Sequence, residues 1–448
     1  MKCIETFAGC GGLSLGLKSS GFDILFANEI SPIACLTYSK NLLNSENNIV
    51  LLEKNENIEP GKIYCGDFKN LLKIFKDNEA LIEQYNDIDL ISGGPPCQGF
   101  SLAGLRKHGV EKNELPHHFI DFVSILKPKI VLIENVVGIL APFKLNGEKI
   151  DSSIEIVSTL TELNYSVLRV KLNASQCGVA ENRYRVFFFA IRNDIYELVN
   201  QKDDFFLSFS NSTNQFHKIF DFEKETLPDY ISKYLFKKKY TVKEAINDLS
   251  TMDVPSEYVN ELNKAFNKGD YKDLTIENHE VRAHIERTKM RFKIKQHLLG
   301  TKWDKVVNEY LKYGYFRSEI VDYQGLLRYF EIFGKFSTID ELNKFLKNYL
   351  SKKHSQRVLN ADEPSHTIVT IPDDLIHYNS SVNRVLTVRE CARIQSFPDS
   401  FIFYGKVTTG GHNREVEAPQ YTQVGNAVPP LVGRFWGNFI KDLLTRVK

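Results

Sequence analysis

The fold class predicted is α/β, a mostly parallel sheet of seven strands accompanied by a second, smaller domain. Three observations predict it. Over residues 1 to about 192, short β-branched runs alternate with polar, helix-compatible segments, the pattern of βαβ units. From about Asn193 that rhythm is lost and aromatic, lysine and asparagine content rises until roughly residue 357. A chain of 448 residues also exceeds what one hydrophobic core usually organises, so two domains are expected.

The strands are expected near Lys2–Phe7, Ile24–Asn28, Lys62–Cys65, Ile88–Ser92, Ile130–Glu134, Ser166–Lys171 and Val186–Ile191. Several end in a residue of chemical interest, and the carboxyl ends of strands in an open α/β sheet are where ligands bind. The composition, 25% charged and 42% hydrophobic, excludes a disordered chain. Its 57 basic and 56 acidic residues give no bulk attraction to a polyanion, so any such partner must be met by local charge. No basic-then-apolar stretch follows Met1, and runs such as Val186 to Ile191 are far short of a membrane span, so a cytoplasmic protein is expected. The seven cysteines are scattered without a Cys-x-x-Cys pair, which suits free thiols in a reducing compartment and argues against a metal site. Six are expected to be small buried hydrophobes; Cys97 is the exception.

The first chemical segment, Phe7-Ala8-Gly9-Cys10-Gly11-Gly12-Leu13-Ser14-Leu15-Gly16, follows the first strand and opens a helix. Its glycines let backbone approach a ligand, and the helix amino terminus favours negative charge. A Walker motif is excluded because no Gly-Lys-Ser/Thr follows, and a dinucleotide fingerprint is imperfect because Ser14 stands where the third glycine belongs. Glu29, at the end of the second strand, can accept hydrogen bonds from ribose hydroxyls, and Asp67 can receive an amino or hydroxyl group. Together these imply an adenosine-type ligand without separating a nicotinamide dinucleotide from S-adenosylmethionine; a tight turn with exposed acids is the plainer alternative.

The second segment, Gly93-Gly94-Pro95-Pro96-Cys97-Gln98-Gly99-Phe100-Ser101, presents Cys97 on a rigid loop at the ligand edge of the sheet. A thiol near its reference pKa of about 8.5 is only slightly ionised at neutral pH, so it needs a helper or an activated electrophile. Glu134 ends the fifth strand, where a carboxyl group can be protonated, or share a proton with a ring nitrogen, and draw electrons from a heterocycle. Arg183 and Arg185, two apart in an extended segment, share a face, and their planar forks suit a carboxylate, a phosphate or a pyrimidine carbonyl. Solvated side chains are the plain alternative for Glu134 and for the arginine pair.

These residues form a recognisable set. Phe7-Ala8-Gly9-Cys10-Gly11-Gly12, Gly94-Pro95-Pro96-Cys97-Gln98, Glu134-Asn135-Val136, Asn182-Arg183-Tyr184-Arg185, Arg389-Glu390-Cys391-Ala392-Arg393-Ile394-Gln395-Ser396-Phe397-Pro398 and Gln423-Val424-Gly425-Asn426-Ala427-Val428-Pro429 resemble, in order, the signature blocks of the DNA (cytosine-5)-methyltransferases. The resemblance spans residues 1–192 and about 357–448. It implies a class I methyltransferase, with a Rossmann-like sheet, that moves a methyl group from S-adenosyl-L-methionine to C5 of cytosine in duplex DNA and releases S-adenosyl-L-homocysteine.

Residue by residue, it implies a cofactor pocket of Phe7, Gly9, Cys10, Gly11, Gly12, Glu29, Asp67, Gly94, Pro96 and Asn426. Cys97 takes the part of the nucleophile at C6, Glu134 engages N3 and the exocyclic amine, and Arg185, supported by Arg183, holds O2. The family flips the target base out of the duplex, and the loop Phe100 to Glu114, together with Gln98 and Ser101, is expected at the DNA. The sequence departs from the family's pattern at Ala180-Glu181, Lys112 and Tyr184.

By the same resemblance, 1–192 and 420–448 form the catalytic domain and 193–419 the target-recognition domain. Within 282–305, Arg282, Arg287, Lys289, Arg291, Lys293, Lys295, Lys302 and Lys305 face only Glu286 and Asp304, a surplus that can neutralise DNA phosphates or simply cover a solvated helix face. A monomeric bacterial or phage modification enzyme with a companion restriction nuclease is expected. The alternatives are a tRNA cytosine-5 methyltransferase and a non-catalytic DNA-binding relative.

Overall fold

The computed structural model describes residues 1–54, 57–96, 114–145, 148–200, 219–227, 229–251, 253–266, 275–314, 322–350, 356–410 and 417–447. Among the described residues, nine strands make the main sheet: β1 (Lys2–Thr6), β2 (Asp23–Glu29), β3 (Ile49–Leu51), β4 (Lys62–Cys65), β5 (Leu90–Gly93), β6 (Ile130–Val136), β7 (Tyr165–Asn173), β8 (Tyr184–Arg192) and β9 (Ile219–Asp221). Their order is β9-β7-β8-β6-β5-β1-β2-β4-β3. Neighbours are parallel except β8, which runs antiparallel to both β6 and β7.

All seven expected strands are present, and the expected count is corrected to nine. The two additions, β3 and β9, have three residues each and lie at opposite edges of the sheet, too short to show alternation in the sequence.

Alternation along the strands divides the core. Cys3, Leu90, Ile130, Leu132, Phe187 and Phe189 face helix α1 (Gly12–Ser19) and the last helix, Pro430–Val447, whose Trp436 stacks on Phe189 with ring centroids 5.7 Å apart. Ile4, Ile91, Val131, Ile133, Val186 and Phe188 face the other way, onto α2 (Phe68–Lys76) and the helices Leu115–Leu126 and Ser152–Glu162. Burial on both faces is why Val186–Ile191 reads as an unbroken apolar run.

Beyond the sheet the chain is mainly helical. One cluster joins Cys10 and Ala180 to Tyr240, Tyr258, Cys391, Phe397 and Val424, and a separate one is built from the helices Glu286–Leu298, Lys302–Tyr313, Tyr323–Tyr329 and Ile339–Tyr349. The segment 389–398 is a scaffold. Arg389 is fully buried and donates to the carbonyls of Glu277, Pro398 and Phe401, Arg393 pairs with Asp399 and Asp248 at 2.7 Å, and Glu390 takes Arg384 at 2.7 Å. No helix among the described residues is long and apolar enough to cross a membrane.

The closest helix contact sets the position of the first chemical loop. A Cβ on Gly16 would lie 2.3 Å from the Pro430 carbonyl oxygen and 2.4 Å from the Arg434 nitrogen, so only glycine lets α1 and the last helix meet. Gly16→Ala is therefore expected to cost about 1–3 kcal/mol by forcing the helices apart. Urea unfolding of the two proteins checks this; equal midpoints would contradict it.

Candidate active site

β1 lies between β2 and β5, where the chain's winding reverses, and the loops leaving the carboxyl ends of these strands open a cleft of about 450 Å³. Phe7, Gly9, Cys10, Gly12, Glu29, Gly94, Pro96, Glu134, Arg183, Arg185 and Asn426 all line it. Two of the expected cofactor residues do not. Gly11 turns the chain into α1 at φ 95° against Tyr38 and Leu42, and Asp67 is exposed, its carboxylate capping α2 by accepting from the Lys69 N–H at 2.9 Å. Cys97, Gln98 and Ser101 lie outside the described residues, as do Lys112 and 100–113 of the expected mobile loop.

On the β1–β2 side, Phe7 adopts φ 53°, a left-handed conformation costly for a side chain, and packs on Phe68 at 4.8 Å between ring centroids. The turn it makes brings the Gly9 N–H to Glu29, which accepts at 2.9 Å through one oxygen and takes the Ser31 N–H at 2.9 Å through the other. Each carboxylate oxygen keeps acceptor capacity for an incoming hydroxyl. Burial raises the Glu29 carboxyl above its ordinary range, against the Ser31 and Gly9 bonds that pull it down. Ile30, 66% exposed beside it, offers an apolar surface at the rim. Cys10 is buried, and its thiol, pushed up to about 12 by burial, contacts the Gln423 carbonyl.

The β5–β6–β8 wall carries the charges. The register places Arg185 opposite Val136 and Phe187 opposite Glu134, so Arg185 and Glu134 are diagonal neighbours on one face. Their side chains pair at 2.8 Å and are only 16% and 14% exposed. A Cβ on Gly94 would lie 3.1 Å from Glu134 Oε2, which puts the Pro95-Pro96 backbone immediately beside this carboxylate. Asn135, buried, donates to the Pro95 carbonyl at 3.2 Å and thereby steadies the approach to Cys97.

Arg183 shares the cleft wall with Arg185 but does different work. It is 1% exposed, and its terminal nitrogens donate to the carbonyls of Ile368 at 3.1 Å and Gly425 at 2.8 Å. Burial and the nearby Arg185 push its guanidinium down to about 10. Glu181, wholly buried, faces Arg183 at 3.6 Å and accepts the Ile368 N–H, so the departure Ala180-Glu181 adds a buried partner. Tyr184, the other departure on this wall, is absorbed locally: its hydroxyl donates to Glu223 at 2.8 Å and Lys171 sits 5.0 Å above its ring.

The expected DNA-binding arginines of the middle region are partly committed inside the protein. Arg287 and Arg291 donate to the carbonyls of Asn348 and Tyr349 at 2.7 and 2.8 Å, satisfying the open end of helix Ile339–Tyr349. Arg282 pairs with Asp373 and Lys289 with Glu286, each at 2.8 Å, while Lys293 is exposed. No cluster of three or more potential metal ligands occurs among the described residues.

Asn135 and Glu5 are among the cleft residues that escaped the sequence. Asn135 stood inside a noticed motif without a role. Glu5 gave no signal, because a lone glutamate in a strand reads as solvent-facing. It is 2% exposed, lines the cleft and accepts from the Ser14 hydroxyl, which is 2.9 Å from that of Tyr38.

Burial pushes the Glu5 carboxyl from an ordinary 4.5 up to about 8. Between those values the unfolded chain releases this proton and the folded chain holds it, so the contribution to stability falls as pH rises through the window. Glu5→Gln, which stays neutral, is expected to gain stability relative to the parent between pH 5 and 8. Urea unfolding at both pH values measures this; parallel pH slopes would contradict it.

Comparison with known proteins agrees with this geometry. The profile of the family described as C-5 cytosine-specific DNA methylase matches residues 1–442. The chain is 30% identical over 435 residues to the type II methyltransferase M.DdeI of Desulfomicrobium norvegicum, covering 97% of this chain and 87% of that protein. It is 28% identical over 481 residues to the type II methyltransferase M.AgeI of Thalassovita gelatinovora, covering 98% and 99%. The crystal structure of a DNA modification methyltransferase encoded within an E. coli prophage shares the fold, with a TM-score of 0.53 and 22% identity over 99% of each chain. The chain thus belongs to the C-5 cytosine-specific DNA methylases, and it is a DNA (cytosine-5)-methyltransferase.

Proposed function

We propose that this protein is the modification enzyme of a type II restriction-modification system, methylating cytosine within one double-stranded DNA sequence through a covalent bond from Cys97. The observation that carries the reading is the Glu134–Arg185 pair, 2.8 Å apart on the wall that Gly94, Pro95 and Pro96 share just before Cys97. Similarity to type II methyltransferases over nearly the whole chain supports the biological setting. The protein acts as a monomer in the bacterial cytoplasm, and a companion endonuclease cleaves the unmethylated sequence.

The residues present fit S-adenosylmethionine. Glu29 is pre-set by two backbone N–H groups with acceptor capacity to spare for ribose hydroxyls, Phe7 and Ile30 offer apolar surface for a purine, and Asn426 closes the opposite side. When bound, this cofactor supplies an electrophilic methyl group. Gly9, Cys10, Gly12, Gly94 and Pro96 shape its seat, with Gly11 and Asp67 acting from behind as turn and helix cap.

The chain's own residues then do the following. Arg185 holds the cytosine O2 and Glu134 the N3 and exocyclic amine, drawing electron density from the ring as the Cys97 thiolate adds to C6. C5 gains electron density and takes the methyl group. Loss of the C5 proton restores the double bond and expels the thiolate. Arg183 positions Arg185 from beneath, and Gln98 and Ser101 meet the DNA as the loop after Cys97 closes. Residues 1–192 and 420–448, with β9 completing their sheet, form the catalytic domain and the rest of 193–419 the recognition domain, whose exposed Lys293 follows the DNA backbone while Arg282, Arg287, Lys289 and Arg291 are held by partners within the protein.

Duplex DNA carrying 5-fluorocytosine has no C5 proton to lose, so incubation with cofactor is expected to trap an adduct on Cys97. Absence of an adduct, with methylation of ordinary cytosine intact, would sink the mechanism. Glu134→Gln, which keeps the shape but loses the carboxylate facing Arg185, is expected to lower kcat by about 10²–10⁴-fold. Single-turnover methyl transfer measures this, and an unchanged rate would remove Glu134 from the reaction.

A further inference from the structure

Four charged side chains run into the target cleft in the order Glu181, Arg183, Arg185, Glu134. The first three alternate along the extended segment 181–185 and share a face, successive members lying about 7 Å apart along the backbone. The fourth is the diagonal cross-strand neighbour of the third. Ion contacts join them in two pairs, Glu181 with Arg183 at 3.6 Å and Arg185 with Glu134 at 2.8 Å. Glu181 and Arg183 are buried behind the wall, and Arg185 and Glu134 are nearer solvent. Two guanidinium groups thus sit side by side where water screens them little, with one carboxylate on each flank.

Glu181 does not itself line the cleft. One of its oxygens accepts the Ile368 N–H, and the other has no hydrogen-bond donor, so its charge acts mainly on the arginines. Packed around it are Tyr258 and Cys391, from the helices Glu257–Phe266 and Val388–Ile394, which burial keeps protonated; the charged groups acting on it are Arg183 and Arg185. Burial raises the Glu181 carboxyl, while Arg183, the Ile368 N–H and Arg185 pull it back. Arg183 in turn is disfavoured by burial and by Arg185 and supported by Glu181 and Glu134. A glutamine at 181 would keep the shape and an acceptor for Ile368, but it would leave two guanidinium groups to share one carboxylate.

We propose that Glu181 is a positioning residue for methyl transfer: its negative charge balances Arg183, so that Arg185 stays against Glu134 and the base. The inference rests on the reaction proposed above and adds to it a residue behind the cleft wall. With Glu181 neutral, both arginines compete for Glu134. Arg185, the more exposed of the two, yields and leaves the place from which it holds the cytosine O2. A misplacement of about 1 Å is enough to slow a reaction about 100-fold.

The test compares the full-length parent with Glu181→Gln in single-turnover methyl transfer to duplex DNA between about pH 5 and pH 8.5. Rates are referred to the concentration of protein that binds S-adenosylhomocysteine, so unfolded molecules are not counted. The variant is expected to be about 10- to 100-fold slower at the alkaline end. The ratio should close towards one as the pH falls, because there the parent's own Glu181 takes up a proton and becomes the variant's equal. Titrations that the two proteins share cancel in the ratio. Glu181→Asp, which keeps the charge on a shorter arm, is expected to be faster than Glu181→Gln at the alkaline end.

A ratio constant across the pH range would make Glu181 a packing residue and overturn the inference. So would a Glu181→Gln as fast as the parent at the alkaline end, or slower rates in Glu181→Asp than in Glu181→Gln. If the parent methylates no duplex at any pH, the proposed reaction fails and this inference with it; methylation by the parent beside a constant ratio overturns only the role given to Glu181.

Discussion

The architecture depends on one buried guanidinium. Arg183 stands at the foot of β8 and reaches two segments distant in the sequence, through the carbonyls of Ile368 and Gly425, with Glu181 against it. Removing one partner from a buried charge pair leaves the other uncompensated, at a cost of about 3–5 kcal/mol. Arg183 therefore holds together the strand bearing Arg185, the strip 365–368 and the helix ending in Asn426. An arginine suits the task because its planar fork serves two acceptors from one position.

The cleft follows from this constraint. Its polar groups are paired before any ligand arrives: Arg185 with Glu134, Glu29 with two backbone N–H groups, and Glu5 with Ser14. Pre-formed pairs keep the side chains at fixed positions, so little reorganisation remains for the reaction. The overall charge balance of 57 against 56 includes cations held deep inside, Arg183, Arg389 and Arg393 among them, so the bulk count says little about the charge a partner meets at the surface.

How much could be read from the sequence divides along physical lines. The strands and much of the charged lining of the cleft were legible, because a β-branched run announces its strand and a glycine or proline after it announces the loop. Phe7, Glu29, Gly94 and Glu134 all sit at such ends. The three-residue strands β3 and β9 were not legible, since they exist only by pairing with longer neighbours. The basic stretch 282–305 read as one face, yet Arg287 and Arg291 cap a helix more than fifty residues away. No local pattern could reveal that, nor that Arg389 and Arg393 would be buried among carbonyls and carboxylates. Roles set by distant partners appear only when the chain has folded.

The contact between α1 and the last helix also governs when the enzyme comes into being. A Cβ on Gly12 would lie 2.2 Å from the Val428 carbonyl oxygen, so the loop that opens the chain is braced by residues made near its end. During synthesis the glycine turn, Glu29 and the segment leading to Cys97 leave the ribosome long before Asn426 and the helix that presses on α1. Of the cleft's walls, this one is therefore made after the others, and a chain that stops before Asn426 lacks it.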